Sequence, residues 1–323
     1  MTRRFFQLAL LLAAFLFAGS ASAQEWPSKP IKIVIAFGPG SGSDIFARLI
    51  GEQLSRSLGQ PVIVDSKPGA SGQIAAEYVA RAPADGYTLF LTTNTTHSAN
   101  PYLFKKLNYD PIKDFTPIVR IGLFPFVLLV DSKLPIHTVA DLLTYAKANA
   151  KSTSYAYTSS AGQVAAAALV NSTKMNDVVG VAYKSAPEAI TSVVSGQVTF
   201  TVLDFATSQP LVKSGRLRAV AVTPDARTSL APNLPTIAEA TGLADFGVVA
   251  WQGIFGPANL PPAIVERLSS ELLKIITPKE MQDRIFSMGA DPAPQGPKDF
   301  EVYVKGQLAV WERQIKIAGM KPE

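Results

Sequence analysis

Cysteine is absent from all 323 residues, and histidine occurs only at His97 and His137. Disulfides, thiol catalysis and thiolate metal sites are therefore excluded. Two histidines without a cysteine do not make a zinc site, and carboxylates at calcium-loop spacing are missing. Charge is sparse and nearly balanced: 30 Lys and Arg against 25 Asp and Glu give a formal +5. There is no basic run and no basic–aromatic stripe, so nucleic acid is not an expected partner. The G-x-S-x-G, H-E-x-x-H and G-x-x-x-x-G-K-[ST] motifs do not occur, and no cofactor is implied.

What is present begins with export. Arg3 and Arg4 precede an apolar run over 5–17, and Gly19-Ser20-Ala21-Ser22-Ala23 forms a small-residue cleavage site. This is the layout of a signal peptide covering 1–23, cleaved after Ala23 and directing the chain to the periplasm. The apolar run is too short for a permanent span, and no cysteine at the cleavage point offers a lipid anchor. The mature chain has 323 − 23 = 300 residues and a formal charge of +5 − 2 = +3. Chains of that length divide into two domains.

Hydrophobic periodicity alternates strand and helix from the mature N-terminus onward. A β-branched strand at 31–37 leads through a Gly/Ser turn to a helix over 44–58, then a strand at 61–65, a helix near 74–81 and a strand near 87–92. Such alternation predicts a parallel sheet with helices on both faces. A second α/β unit follows, with strands at 126–130, 154–158, 198–203 and 217–222 and helices at 139–148, 163–170 and 187–194. The last third reads as three helices, near 262–276, 279–288 and 297–318. Without strands of their own, they are expected to return to the first sheet. The expected division is 24–122 with 224–323 as a discontinuous first domain, and 123–223 as the second. The two crossings, near Gly122 and Thr223, make a hinge.

Two strand–turn–helix loops carry the candidate chemistry. The first runs Gly38-Pro39-Gly40-Ser41-Gly42-Ser43-Asp44 and the second Thr158-Ser159-Ser160-Ala161-Gly162-Gln163. Glycine lets the backbone approach a ligand closely, hydroxyls add donors, and a helix N-terminus attracts an anion. Facing each other across a cleft, the two would hold a carboxylate without an arginine. An ordinary capped connection is the plainer reading of either loop alone, and of Asp44 in particular. The first loop also imitates a dinucleotide fingerprint, with Asp65 as the ribose acid, but Ser43 stands at the third glycine position.

Thr92 to His97 closes the third strand with hydrogen-bonding side chains at the sheet end, where open α/β sheets bind ligands. Asn94, Thr95 and His97 are candidates there, although a lone histidine is more often a satisfied structural residue. A triad of Ser41 or Ser160 with His97 would make a secreted hydrolase, and no motif supports it. Asp204, if it faces the cleft, would accept from a ligand hydroxyl, amine or water, and would disfavour a carboxylate beside it.

Many short stretches along the mature chain are together distinctive. They include Trp26-Pro27-Ser28-Lys29-Pro30-Ile31, Pro68-Gly69-Ala70-Ser71-Gly72, Ala82-Pro83-Ala84-Asp85-Gly86-Tyr87-Thr88-Leu89, Ala182-Tyr183-Lys184 and Gly215-Arg216-Leu217-Arg218-Ala219-Val220. In this order they resemble the substrate-binding receptors of tripartite tricarboxylate transporters, the Bug family. The resemblance implies a two-lobed venus-flytrap fold of the type II periplasmic-binding class, with no enzymatic activity. It implies a small carboxylate ligand and a membrane permease as partner; presentation of the ligand to a membrane sensor kinase, which uses the same fold and pocket, is the alternative. It also implies a carboxylate clasped by Phe37 to Asp44 and Thr158 to Gln163, partly through backbone amides and water. Asn94 to His97, Tyr183, Lys184, Asp204 and Phe205 would line the rest. Ala36, Gly38-Pro39 and Gly40-Ser41-Gly42 depart from the family's usual proline, double proline and glycine triplet, so pocket shape is not transferable. Phe37, Phe205 and Trp251 would give an aromatic wall suited to an aromatic acid; core packing is the plainer account of each.

Overall fold

The structure, a computed structural model, describes residues 26–175, 177–243 and 246–322. The expected signal peptide lies outside the described residues.

Strand β1 (Ile31–Ile35) is β-branched and apolar except for Lys32, as suits a strand covered on both faces. It pairs in parallel with β2 (Val62–Ser66) and β3 (Thr88–Thr93). The connections are α1 (Gly42–Leu58) and α2 (Gln73–Ala80). After β3 the chain makes a single π turn, Thr95–Ala99, and a short helix α3 (Asn100–Leu103). It then enters β4 (Phe115–Asp131), the longest strand.

β4 belongs to two sets of pairings. Its first part, Phe115–Pro125, runs antiparallel to β9 (Val249–Pro257), which in turn lies beside β3. From Phe126 onward it pairs antiparallel with β7 (Phe200–Asp204) and β8 (Leu217–Val222). β5 (Ser154–Tyr157) and β6 (Val179–Ala182) extend that side in parallel. β10 (Asp291–Gln295) pairs with β4 around Gly122. The order is β2-β1-β3-β9-β4-β7-β5-β6, ten strands with β8 and β10 on β4.

The exchange of partners falls at Pro125–Phe126. Thr223 pins it: its N–H donates to Phe126 O at 3.0 Å, and its hydroxyl donates to Val248 O at 2.6 Å and accepts from Phe126 N at 3.2 Å. The two segments that connect the halves of the sheet are thus bonded to each other at one buried threonine.

Helices α4 (Val139–Ala148), α5 (Ser160–Ser172), α6 (Ala186–Val194), α7 (Phe205–Lys213) and α8 (Ile237–Thr241) flank the second half. The last helices are α9 (Pro262–Ile276), α10 (Lys279–Ser287) and α11 (Pro297–Ile317). α9 packs on α1, whereas α11 packs on β4, on the π turn and on α5. Asn171 Nδ2 donates to Ile317 O at 3.0 Å, tying the end of α11 to α5. The last third therefore touches both halves and contributes two strands, β9 and β10, where helices alone were expected. One apolar cluster links the halves, from Ile31 and Phe46 through Leu128 to Val164 and Phe200.

Candidate ligand-binding site

The two candidate loops begin their helices in the same way. Ser41 is the N-cap of α1, its hydroxyl accepting from Asp44 N at 3.2 Å. Ser159 is the N-cap of α5, accepting from Gly162 N at 3.4 Å. Caps of this kind satisfy one N–H of the first turn and leave its neighbours without an intrahelical acceptor. Gly42 and Ser43 on one side and Ala161 on the other line a single cavity together with Phe37, Ser41, Thr158 and Ser159.

Two further helix starts reach the same space. Ala186 opens α6 behind the N-cap Ser185, and Asp204 is the N-cap of α7. Three positive helix ends thus reach a cavity whose lining, among the described residues, contains no lysine or arginine, while α7 presents only its cap, the Asp204 carboxylate, and turns Ala206 and Thr207 to another pocket. Its volume is about 40 Å³, room for roughly three water-sized groups. A wider mouth of about 330 Å³ shares Phe37, Thr158 and Ser159 with it, and Gly69 to Gly72, Tyr183 and Lys184 line its outer part.

The halves are in direct contact here. Ser160 Oγ donates to Thr95 Oγ1 at 2.9 Å, both residues being buried. Gly42 lies so close to Asp204 that a Cβ at position 42 would stand 3.1 Å from the carboxylate. The end of β3 supplies the most polar wall. Asn94 is fully buried, and neither atom of its amide has a protein partner. Gln252 on β9, in register with Thr93, is 4 % exposed, and its Oε1 is likewise unpartnered.

Not every candidate lines the cavity. Asp44 folds back instead: its carboxylate accepts from Gly40 N at 3.0 Å and pairs with Arg48 at 2.9 Å. Gly40 faces α6 on the outer side, near Pro187. Gly162 is pressed against Val202 of β7, and Phe205 is buried in the core of the second half. His97 is enclosed by Phe115, Trp251 and Phe255, with its ring centroid 4.1 Å from that of Phe255. Its Nδ1 bonds to Thr96 Oγ1 at 2.9 Å.

With Ser160 bonded to Thr95 and Ser41 capping α1, neither serine meets this histidine, and the triad reading falls. Asp65 pairs with Lys32 and Lys67, leaving no ribose site. The aromatic wall is Phe37, Phe124 and Phe126; Trp251 is core. Ala186 and Gln252 escaped notice in the sequence. Ser185-Ala186-Pro187-Glu188 carries a readable capping pattern, and Gln252 sits in a strand that has no alternating pattern.

Burial pushes the Asp204 carboxyl above its ordinary pKa, against the hydrogen bonds from Thr207 N and Oγ1 at 2.9 and 2.8 Å. A carboxyl with a raised folded pKa stabilises the fold at low pH, and that contribution is lost as pH rises through the folded value. Asp204→Asn keeps the cap and removes the charge. It should be at least as stable as the parent at pH 7 in chemical denaturation, with the difference shrinking towards pH 4. A variant less stable by more than about 1 kcal/mol at pH 7 would show that the carboxylate is held favourably.

A cleft between two α/β halves, walled by helix starts, is the arrangement of a solute-binding receptor. Residues 46–320 match the model of the tripartite tricarboxylate transporter family receptor, and the chain belongs to that family. Among solved structures, Rpa4515 of R. palustris with adipate superposes with a TM-score of 0.88 at 32% identity, covering 93% of this chain and 100% of that one. The periplasmic binding protein BugD gives 0.86 at 28% identity, covering 92% and 100%. MatC of Rhodopseudomonas palustris with bound malate gives 0.82 at 29% identity, covering 90% and 100%. The architecture is the two-lobed periplasmic-binding fold.

Proposed function

We propose that the mature chain, from Gln24, is a periplasmic receptor that takes a small carboxylate into this cleft and hands it to a membrane permease. The observation carrying the reading is the convergence of three helix N-termini, those of α1, α5 and α6, on a cavity that among the described residues lacks any cationic side chain. Backbone N–H groups and helix dipoles favour an anion at such a place. Similar proteins holding adipate and malate support the same ligand class.

In this reading 24–122 with 224–323 and 123–223 move as two lobes about Thr223, and the Ser160–Thr95 bond belongs to the closed form. Ligand favours closure by the difference in its affinity for the two forms. The clasp is Ser41 to Ser43 against Thr158 to Ala161, with Asn94, Thr95 and Asp204 beside it and Tyr183 and Lys184 at the mouth.

A thermal-shift screen of the mature protein against mono-, di-, tricarboxylic and aromatic acids tests this. At a hundredfold excess over Kd, binding should add about 2.7 kcal/mol of apparent stability. The shift should vanish for the amide or ester of the same acid. A stabilising amide or ester would overturn the carboxylate clasp. Uptake of that acid should be lost in a strain deleted for the receptor; uptake that persists would point away from a permease.

A further inference from the structure

A second hollow, of about 450 Å³, is also shared by the two halves of the molecule. Gly40 and Ile45, around the start of α1, form one side, and α6 and α7 with Arg216 form the other. The sides meet at Gly40, whose absent Cβ would stand 3.6 Å from Pro187. The groove therefore exists only while the halves are together. Pro187 and Pro210 are exposed and Ile45, Val194 and Leu211 half-buried, so its walls are largely apolar. An apolar hollow open to solvent marks an interaction site more often than chance. Arg216 is the one charge in the lining, and no acid lines it among the described residues. Lys213 stands three residues earlier; both cations are exposed, and neither side chain has a partner among the described residues. Lys213 answers the negative end of α7, but Arg216 lies beyond that helix and has no such use.

We propose that this groove is the surface by which the receptor docks on its permease, taking an apolar segment of that partner with a carboxylate set beside Arg216. The inference rests on the receptor reading above and adds to it the place where the two proteins meet. An occupant of a seam between lobes binds the closed form alone. It thereby distinguishes loaded receptor from empty receptor without touching the ligand. A second copy of this chain is a poorer fit, since the groove offers no acid to answer its own cations.

Uptake of whichever acid binds, in a receptor-deleted strain supplied with each variant, is measured beside the affinity of each purified mature protein for that acid. Thr191→Trp fills the groove from the exposed side of α6 and should cut uptake at least about tenfold, as loss of a central interface contact does. Arg216→Glu reverses the single charge of the lining and should cut uptake at least about threefold, while Arg216→Lys keeps most of the rate. Affinity for the acid should stay within about twofold in all three. Thr144→Trp, exposed on α4 and outside the groove, is the control and should transport as the parent does. Parental uptake in both Thr191→Trp and Arg216→Glu would overturn the inference and leave the receptor reading intact. A loss of affinity as large as the loss of uptake would also overturn it, by making the groove part of ligand binding. A parent that binds an acid yet restores no uptake would remove the permease, and this inference with it, but not the carboxylate clasp.

Discussion

Replacing His97 by phenylalanine should make the protein markedly more resistant to acid. The ring is fully buried among aromatic residues, and burial pushes its pKa down to about 3 from an ordinary 6.5. Between those values the unfolded chain takes up a proton that the folded chain refuses. Stability therefore falls as pH drops from about 6.5 towards 3, and this contribution levels off below that. From pH 7 to pH 4 the loss from this one residue is about 3 kcal/mol.

Phenylalanine fills the same stack on Phe255 and leaves no imidazole to protonate, at the cost of the Thr96 hydrogen bond. Urea unfolding of both proteins at pH 7 and pH 4 should show the gap between them shifting by that amount in favour of the variant. Carboxylates held below their ordinary pKa, such as Asp110, Asp141 and Glu271, also weaken the fold in acid. They do so in both proteins and cancel in the comparison. A gap that does not move with pH would mean that the imidazole is not buried as described.

Gly162→Ala is expected to have the second large effect, on stability and on binding together. A Cβ there would lie 2.5 Å from the carbonyl oxygen of Val202, a backbone atom in the middle of β7 that has no room to retreat. The cost of such overpacking is about 3 kcal/mol, and the start of α5 must move to relieve it. Ser159 and Ala161 move with it, so affinity should fall at least tenfold (~1.4 kcal/mol). Gly306→Ala is the control. It sits on the exposed face of α11 with nothing near its absent Cβ, and should stabilise by about 0.5–1 kcal/mol with binding unchanged. Denaturation midpoints and a titration on each protein suffice, and a Gly162→Ala protein with parental stability would refute the close contact.

Glycine at 162 shows how part of the site was legible for the wrong reason. Its place between strand and helix suggested close approach to a ligand, whereas the close approach is to β7. Sequence periodicity does carry the regular half of the fold: β1, α1, β3, α4 and α9 have clear apolar faces. β9 was invisible because Gly253 and Gly256 interrupt it, and both are required by neighbours far along or outside the strand. A Cβ at Gly253 would meet the Phe300 ring at 2.2 Å, and one at Gly256 would meet Leu260 at 2.1 Å.

α7 was hidden by Pro210 in its interior, and with it the capping role of Asp204. Asn94 and His97 looked alike as polar residues at a strand end. The π turn that follows β3 leaves one lining the cavity and the other in an aromatic core, a distinction that no two-residue pattern encodes.

The absence of a cationic side chain from the cavity has a consequence for heredity. Donors that belong to the main chain survive any codon change that preserves the helix starts, whereas an arginine could be lost in one step. Phe37, Tyr183 and Lys184, which are only partly buried or exposed, are freer to change. Under the carboxylate reading, a lineage carrying this scaffold can therefore exchange one ligand for another by resurfacing the mouth while the anion site stays in place.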